Sequence, residues 1–478
     1  MSETTAEAAR TTAAQDGPSG SRWALAGLAL SMLLSSLGTS IANVALPTLA
    51  RAFSASFQEV QWIVLAYLLA VTTLVVGAGR LGDLIGRRRL LLGGLLVFTA
   101  ASALCGLAPG LGTLVAARAV QGLGAAVMTA LTLAFVGDTV PRERIGRAMG
   151  LLGTVSAIGT ALGPSLGGVL IAGFGWRAVF LAAVPLGALT LLLAHRHLPA
   201  DRPAAAGGRA RFDLRGTALL ALTLGAYALA LTLGRGRFGP LNAALLVAAG
   251  LGVALFARVE ARTAAPLVRV GMFRDPALGA GLVMSALVST VMMATLVVGP
   301  FHLSHALGLA PAAVGLAMSA GPLVSALSGV PAGRLVDRLG AGRTTVLGLC
   351  VNAAGCAALA VLPARFGVAG YVGPLVAVTA GYALFQAANN TAVLADVPAD
   401  HRGVVSGLLN LSRNLGLVTG TSAMGAVFAL ASATSDVTSA SPAAVATGTR
   451  TTFAVAAVLG LLALAAARVP ARAARRTA

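Results

Sequence analysis

The sequence contains no lysine, and every one of its 34 basic residues is arginine. Without lysine there is no Walker A side chain to reach a nucleotide phosphate and no amine to form a Schiff base, so the chain cannot be an ATP-driven pump by itself. Cysteine is scarce. Cys105, Cys350 and Cys356 each fall inside an apolar run, and no Cys-x-x-Cys pair points to a metal or redox site. The five histidines, His195, His197, His302, His305 and His401, form no His-Glu-x-x-His helix face. No metal, cofactor or catalytic residue is expected. Acidic residues number only 15, and none falls at the centre of an apolar run.

Apolar residues make up 57% of the 478, charged residues 10%, and mean hydropathy is +0.88. That balance excludes a soluble protein. A spanning helix needs roughly 20 mostly apolar residues, and fourteen such runs occur: 23–45, 58–78, 90–108, 111–136, 145–171, 177–195, 215–233, 240–257, 277–299, 311–330, 344–362, 369–393, 404–430 and 452–468. Residues 1–20 lack the basic start of a secretory signal and read as a disordered tail. The net charge of +19 is not spread evenly. Alternate loops hold Arg80 with Arg87 to Arg89, Arg142 with Arg144 and Arg147, the 195–215 and 258–274 segments, Arg334 to Arg343, Arg402, and the tail from Arg468. This bias makes the arginine-rich side cytoplasmic and places both termini there. Orientation and attraction to anionic lipid account for the charge, so no nucleic-acid partner is expected.

The chain repeats itself. Gly79-Arg80-Leu81-Gly82-Asp83-Leu84-Ile85-Gly86-Arg87-Arg88-Arg89 returns, thinned, at Gly333-Arg334-Leu335-Val336-Asp337-Arg338-Leu339-Gly340, 254 positions later. Gly150, Gly159 and Gly163 return as Gly407, Gly416 and Gly420, 257 positions later. Two landmarks in one register mean two halves duplicated in the same orientation. The hairpin joins runs 2 and 3 and its copy joins runs 10 and 11, so two runs have been inserted between six-helix halves. The expected organisation is a tail (1–20), a first half (21–197), linkers with inserted runs 7 and 8 (198–275), a second half (276–470) and a basic tail (471–478). The stretch Glu260 to Asp275, with Leu267, Val268, Val270, Met272 and Phe273 among arginines, reads either as an interfacial helix or as an exposed connector. Parallel halves imply a central cavity and alternating access.

On these hairpins and repeats the chain resembles the major facilitator superfamily, and more closely its fourteen-helix drug:proton antiporters. The resemblance implies an all-α membrane fold of two pseudo-symmetric six-helix bundles plus two inserted central helices, and export of small molecules across the cell membrane in exchange for protons, as a monomer. It also implies a conformational latch of Gly79, Asp83, Gly86, Arg87, Arg88, Gly333, Asp337 and Arg338, for which a plain positive-inside hairpin is the other reading. Arg118-Ala119-Val120-Gln121-Gly122 looks like the family's membrane-embedded arginine motif. An arginine held roughly 10 Å deep at 1.5 Å per residue costs at least about 2.5 kcal/mol, so Arg118 either faces a cavity or snorkels to the surface. Gly159, Gly163, Pro164, Gly167 and Gly168 resemble the signature of exporters. Their small side chains allow close helix approach, and the proline bends the helix.

One departure stands out: the group usually has an aspartate, its candidate proton carrier, where this chain has Gly38. The acids Glu59, Asp138 and Asp396 lie near the ends of runs, and His302 and His305 near the outer end of the ninth. A cavity lined instead by Asn43, Gln61, Tyr67, Gln121, Gln386, Asn389, Asn390, Asn410 and Asn414, with Arg118 and Arg413 as buried cations, would suit neutral or anionic substrates better than lipophilic cations. The same amides also serve as glue between helices.

Overall fold

A computed structural model describes residues 18–139, 145–201, 213–233, 239–263, 275–361, 366–395, 397, 402–432 and 440–468. Among these there is no β-strand, and fourteen helices are long and apolar enough to cross a membrane. In chain order they are α1 (Pro18–Ala52), α2 (Phe57–Ile85), α3 (Arg87–Gly106), α4 (Leu111–Thr139), α5 (Ile145–Phe174), α6 (Arg177–His197), α7 (Leu214–Thr232) and α8 (Pro240–Arg262). They continue as α9 (Pro276–Phe301), α10 (Pro311–Leu339), α11 (Ala341–Val361), α12 (Gly367–Ala395), α13 (Arg402–Thr419, continued by Gly425–Ala431) and α14 (Pro442–Ala466). Two π turns interrupt the regular pattern, His302–Ala306 at the end of α9 and Gly420–Met424 within α13. Several helices outrun their apolar cores. α1 begins at Pro18, within the segment expected to be a tail, because proline is tolerated in the first helical turn.

Each half is wired in the same way. α1 packs on α5 and α6, α4 packs on α2 and α3, and α3 packs on α6; in the second half α9 packs on α13 and α14, α12 on α10 and α11, and α11 on α14. Glycines set the closest approaches. Gly159 lies against the Leu33 carbonyl and Ser36, and Gly416, its repeat partner, lies against the Ala286 carbonyl and Ser289. Gly94 meets Gly124 between α3 and α4, and Gly348 meets Gly381 between α11 and α12. The 254- and 257-residue offsets are therefore offsets of packing as well as of sequence. Such small-residue seams bring backbones together where lipid supplies no hydrophobic drive for helix association.

The repeat also fixes the hairpins. Gly86 (φ 104°) and Gly340 (φ 81°) occupy equivalent turns with backbone angles that favour glycine. The inserted α7 packs on α8, on α2 and on the π turn of α13. Trp62 on α2 donates its indole N–H to Thr232 of α7 at 3.1 Å. At the same seam Leu220 and Leu224 of α7 share an apolar cluster with Leu278, Leu282, Val405, Leu408 and Leu409. α7 thus covers the α2–α13 seam and touches both halves.

Candidate functional site

Arg118 is fully buried and ties three helices together. Its Nε donates to the Ile63 carbonyl of α2 at 2.9 Å, one terminal nitrogen donates to Gln121 of its own helix at 2.5 Å, and the other donates to the Gly38 carbonyl of α1 at 3.1 Å. The guanidinium lies 4.2 Å from the centre of the Tyr67 ring, within cation–π range. Gln121 passes its own N–H to Ser102 at 2.7 Å, and Tyr67 donates to the Ser35 carbonyl at 2.9 Å. Arg118, Gln121 and Tyr67 are therefore one cluster around Gly38, and no carboxylate joins it among the described residues. A buried cation is expensive unless its donors are satisfied. Here carbonyl dipoles, an amide oxygen and an aromatic face do that, while leaving the positive charge unneutralised.

The other expected cavity residues fall into separate groups. Asn43 is buried and donates to the Thr39 and Ser40 carbonyls at 3.0 and 3.3 Å, with its Oδ1 unpartnered among the described residues. Asn389 is buried and donates to the Gly281 carbonyl of α9 at 3.2 Å, as helix glue would. Gln386 and Asn390 on α12, with Asn410 and Arg413 on α13, are half-exposed, and they lie in the parts of those helices nearer the arginine-rich end. Asn414 beside them is buried. Sequence reading missed a hydroxyl cluster in the first half, where Ser36 and Ser156 share a hydrogen bond of 2.6 Å and Ser35 and Thr129 one of 2.8 Å. The four-residue spacing of Ser31, Ser35 and Thr39 was the available signal.

At the arginine-poor end the halves close on each other. Phe57, opening α2, packs edge-on against Phe301 of α9 at 4.7 Å and against Phe428 of α13 at 5.2 Å. Gln61 donates to the Thr421 carbonyl of α13 at 2.9 Å. On the other seam α5 meets α10, with Gly168 against Gly315 and the Pro311 carbonyl, and the Pro164 carbonyl against Gly315. The residues of the exporter-like signature thus lie on seams: Gly159, Gly163 and Gly167 face α1, and Pro164 and Gly168 face the opposite half.

The arginine-rich end is arranged differently. A methyl group placed at Gly79, Gly333, Gly342 or Gly407 would meet nothing within 4 Å. The side chain of Asp83 lies outside the described residues, while Asp337 and Arg338 are exposed. A different acid engages the first hairpin. Asp201, just beyond α6, accepts the backbone N–H groups of Arg88 at 2.7 Å and Arg89 at 3.2 Å, and the Arg88 guanidinium donates to the His195 carbonyl. Other scarce acids also serve helix N-termini: Glu59 completes a capping box with Ser56, and Asp213 and Asp275 cap α7 and α9. Asp138 and Asp396 lie outside the residues whose side chains are described, as does most of the Glu260 to Asp275 connector.

Residues 28–421 match the family model of the Major Facilitator Superfamily. The chain belongs to that superfamily. It is 33% identical over 407 residues to the multidrug resistance protein Stp of Mycobacterium tuberculosis, covering 84% of this chain and 74% of that one. It is 30% identical over 402 residues to the riboflavin transporter RibZ of Clostridioides difficile, covering 84% and 87%. Its fold matches the crystal structure of a bacterial homologue of the human lysosomal transporter Spinster, with a TM-score of 0.70, 17% identity, and coverage of 94% and 96%. As a major facilitator protein the chain is a multi-pass membrane transporter and not an enzyme.

Proposed function

We propose that this transporter exports amphipathic small molecules, antibiotic-like compounds or a metabolite of the cell, across the cytoplasmic membrane by alternating access, driven by the proton gradient. Both termini and the arginine-rich loops face the cytoplasm in this reading, and one chain suffices for transport. The observation that carries it is the unequal closure of the two ends. Side chains and backbone of both halves meet at the arginine-poor end, while Gly79, Gly333, Gly342 and Gly407 at the arginine-rich end stand clear. The half-exposed Gln386, Asn390, Asn410 and Arg413 lie toward that second end, which suits a cavity loading from the cytoplasm. The names of relatives such as Stp agree with efflux.

A growth-inhibition panel in an efflux-deficient host, with and without an uncoupler, tests the reading. Expression should raise tolerance to a subset of compounds, and the uncoupler should remove the gain. Unchanged tolerance across a broad panel, with the protein inserted, counts against export.

A second reading rests on Arg118. With Gly38 in place of the expected aspartate, its positive charge has no carboxylate partner among the described residues, which favours a neutral or anionic substrate carried without protons or with another ion. Proteoliposomes separate the two readings. A transported compound should release protons across the membrane in the first case and none in the second.

A further inference from the structure

The gate at the arginine-poor end contains an imidazole that none of the contacts above explains. His302 opens the π turn directly after Phe301, the residue that meets Phe57 of the other half. Its ring stacks on Tyr371 of α12 with centroids 5.5 Å apart, and its Nδ1 is buried with no hydrogen-bond partner among the described residues. Tyr371 is held in turn by its hydrogen bond to the Thr295 carbonyl at 3.3 Å. Among the described residues the groups facing His302 are few. α12 presents Tyr371, α14 presents Arg450 close enough to act electrostatically, and the turn itself adds His305, which stacks on Phe301 at 5.7 Å. Residues 311–330 of α10 contain no titratable side chain, and α9 adds none at this end. The packing that makes Ser36 of α1 the counterpart of Ser289 of α9 places Leu49 at the position of His302, so the imidazole belongs to one half only.

We propose that His302 is a proton-binding site of the outer gate, taking a proton from external water and thereby opening that end. The proposal rests on the exporter reading above, which puts the arginine-poor end outside. The step is a simple transfer, hydronium giving its proton to the imidazole and leaving water. Neutral, the ring fits its stacked pocket. As imidazolium it would carry a charge within the field of Arg450, with its Nδ1 proton facing no acceptor among the described residues, an arrangement that disfavours the stacked position. The charged ring leaves Tyr371 for water, the π turn moves with it, and Phe301 withdraws from Phe57. π turns recur at functional sites.

The test uses the full chain with its three cysteines replaced by alanine and spin labels on Gly112→Cys and Ala443→Cys, exposed positions at this end of the two halves. In lipid vesicles without substrate, lowering the pH from about 8 to about 5, the range in which histidine changes charge, should raise the long-distance population. His302→Gln should hold the short distance throughout, and His305→Gln should respond like the parent. A parent insensitive to pH, or a His302→Gln response matching the parent, overturns the proposal. Thermal unfolding of each variant shows that it is folded. Proton coupling fails separately: a pH-responsive gate in a protein whose substrate releases no protons would leave this site standing and remove the proton-driven reading.

Discussion

Gln61 and Thr421, 360 positions apart in the chain, are joined by a hydrogen bond of 2.9 Å from the glutamine amide to the threonine carbonyl. The repeat explains why the contact falls there. Thr421 is the counterpart of Pro164, and Gln61 is the counterpart of Gly315. A proline breaks the regular helix bonding of α5 where a π turn breaks that of α13, and both irregular backbones face the opposite half. One seam closes through a donor side chain and the other through glycine against backbone. Removing the donor leaves a buried carbonyl unpaired, a loss of about 1–3 kcal/mol. Gln61→Leu should therefore weaken closure, seen as a longer distance between labels across the arginine-poor end and reduced export. Gly425→Val, which drives a side chain into Gln61, should act in the same direction.

Arg118 is expected to tolerate no replacement. Alanine removes the bonds to α1 and α2, and lysine offers a point charge in place of the planar fork that reaches three acceptors at once. Both variants should insert into the membrane and fail to transport, measured as compound flux in inverted vesicles. Flux at the parent level in either one would remove the assigned role.

Gly38→Asp tests whether the absent carboxylate sets the coupling. A side chain there meets the Tyr67 hydroxyl at 3.1 Å and Phe98 at 3.3 Å, contacts that need a shift of a few tenths of an ångström. The new carboxylate would lie beside Arg118, whose terminal nitrogen already bonds the Gly38 carbonyl. If the parent carries a compound without protons, the variant should gain proton release with the same compound. If the parent is already proton-coupled, its stoichiometry should change.

Glycines within one helix should differ sharply in tolerance. Gly163→Leu forces a side chain into Ser40 and the Ile41 backbone of α1, and overpacking of this kind costs about 1–3 kcal/mol or more. Its repeat partner Gly420→Leu should behave alike, because it meets the Thr290 carbonyl and Met293. Gly407→Leu, facing open space, should leave the melting temperature in detergent unchanged.

Asp201→Ala should lower stability by about 1 kcal/mol, the usual worth of a helix N-cap, because it frees the Arg88 and Arg89 amides at the start of α3. Limited proteolysis of the 198–212 linker should speed up in the variant.

The fourteen spans and the doubling were legible in the sequence because hydropathy and register are properties of the chain itself. The inserted pair followed from counting helices between the hairpin and its copy. The backbone partners of Arg118 were not legible, since carbonyls at Ile63 and Gly38 leave no mark in side-chain identity. The same holds for Thr421, although projecting Pro164 through the repeat would have found it. Asp201 was hidden for another reason. Its role depends on the end of α6 folding back beside the first hairpin, which no local pattern encodes. Helix ends were underestimated, as at α1, because residues such as Arg51 keep helical backbone beyond the apolar core.

The inserted α7 makes the two seams mechanically unequal. Parting α5 from α10 separates glycine-lined backbones, like sliding two smooth rods. Parting α2 from α13 must drag α13 across the face of α7, which Trp62 tethers to α2. A six-plus-six carrier can rock symmetrically about its midline. This one has a door hung on one side, so in the rocking cycle proposed above the resistance to turning is expected to sit on the leucine surface of a single helix.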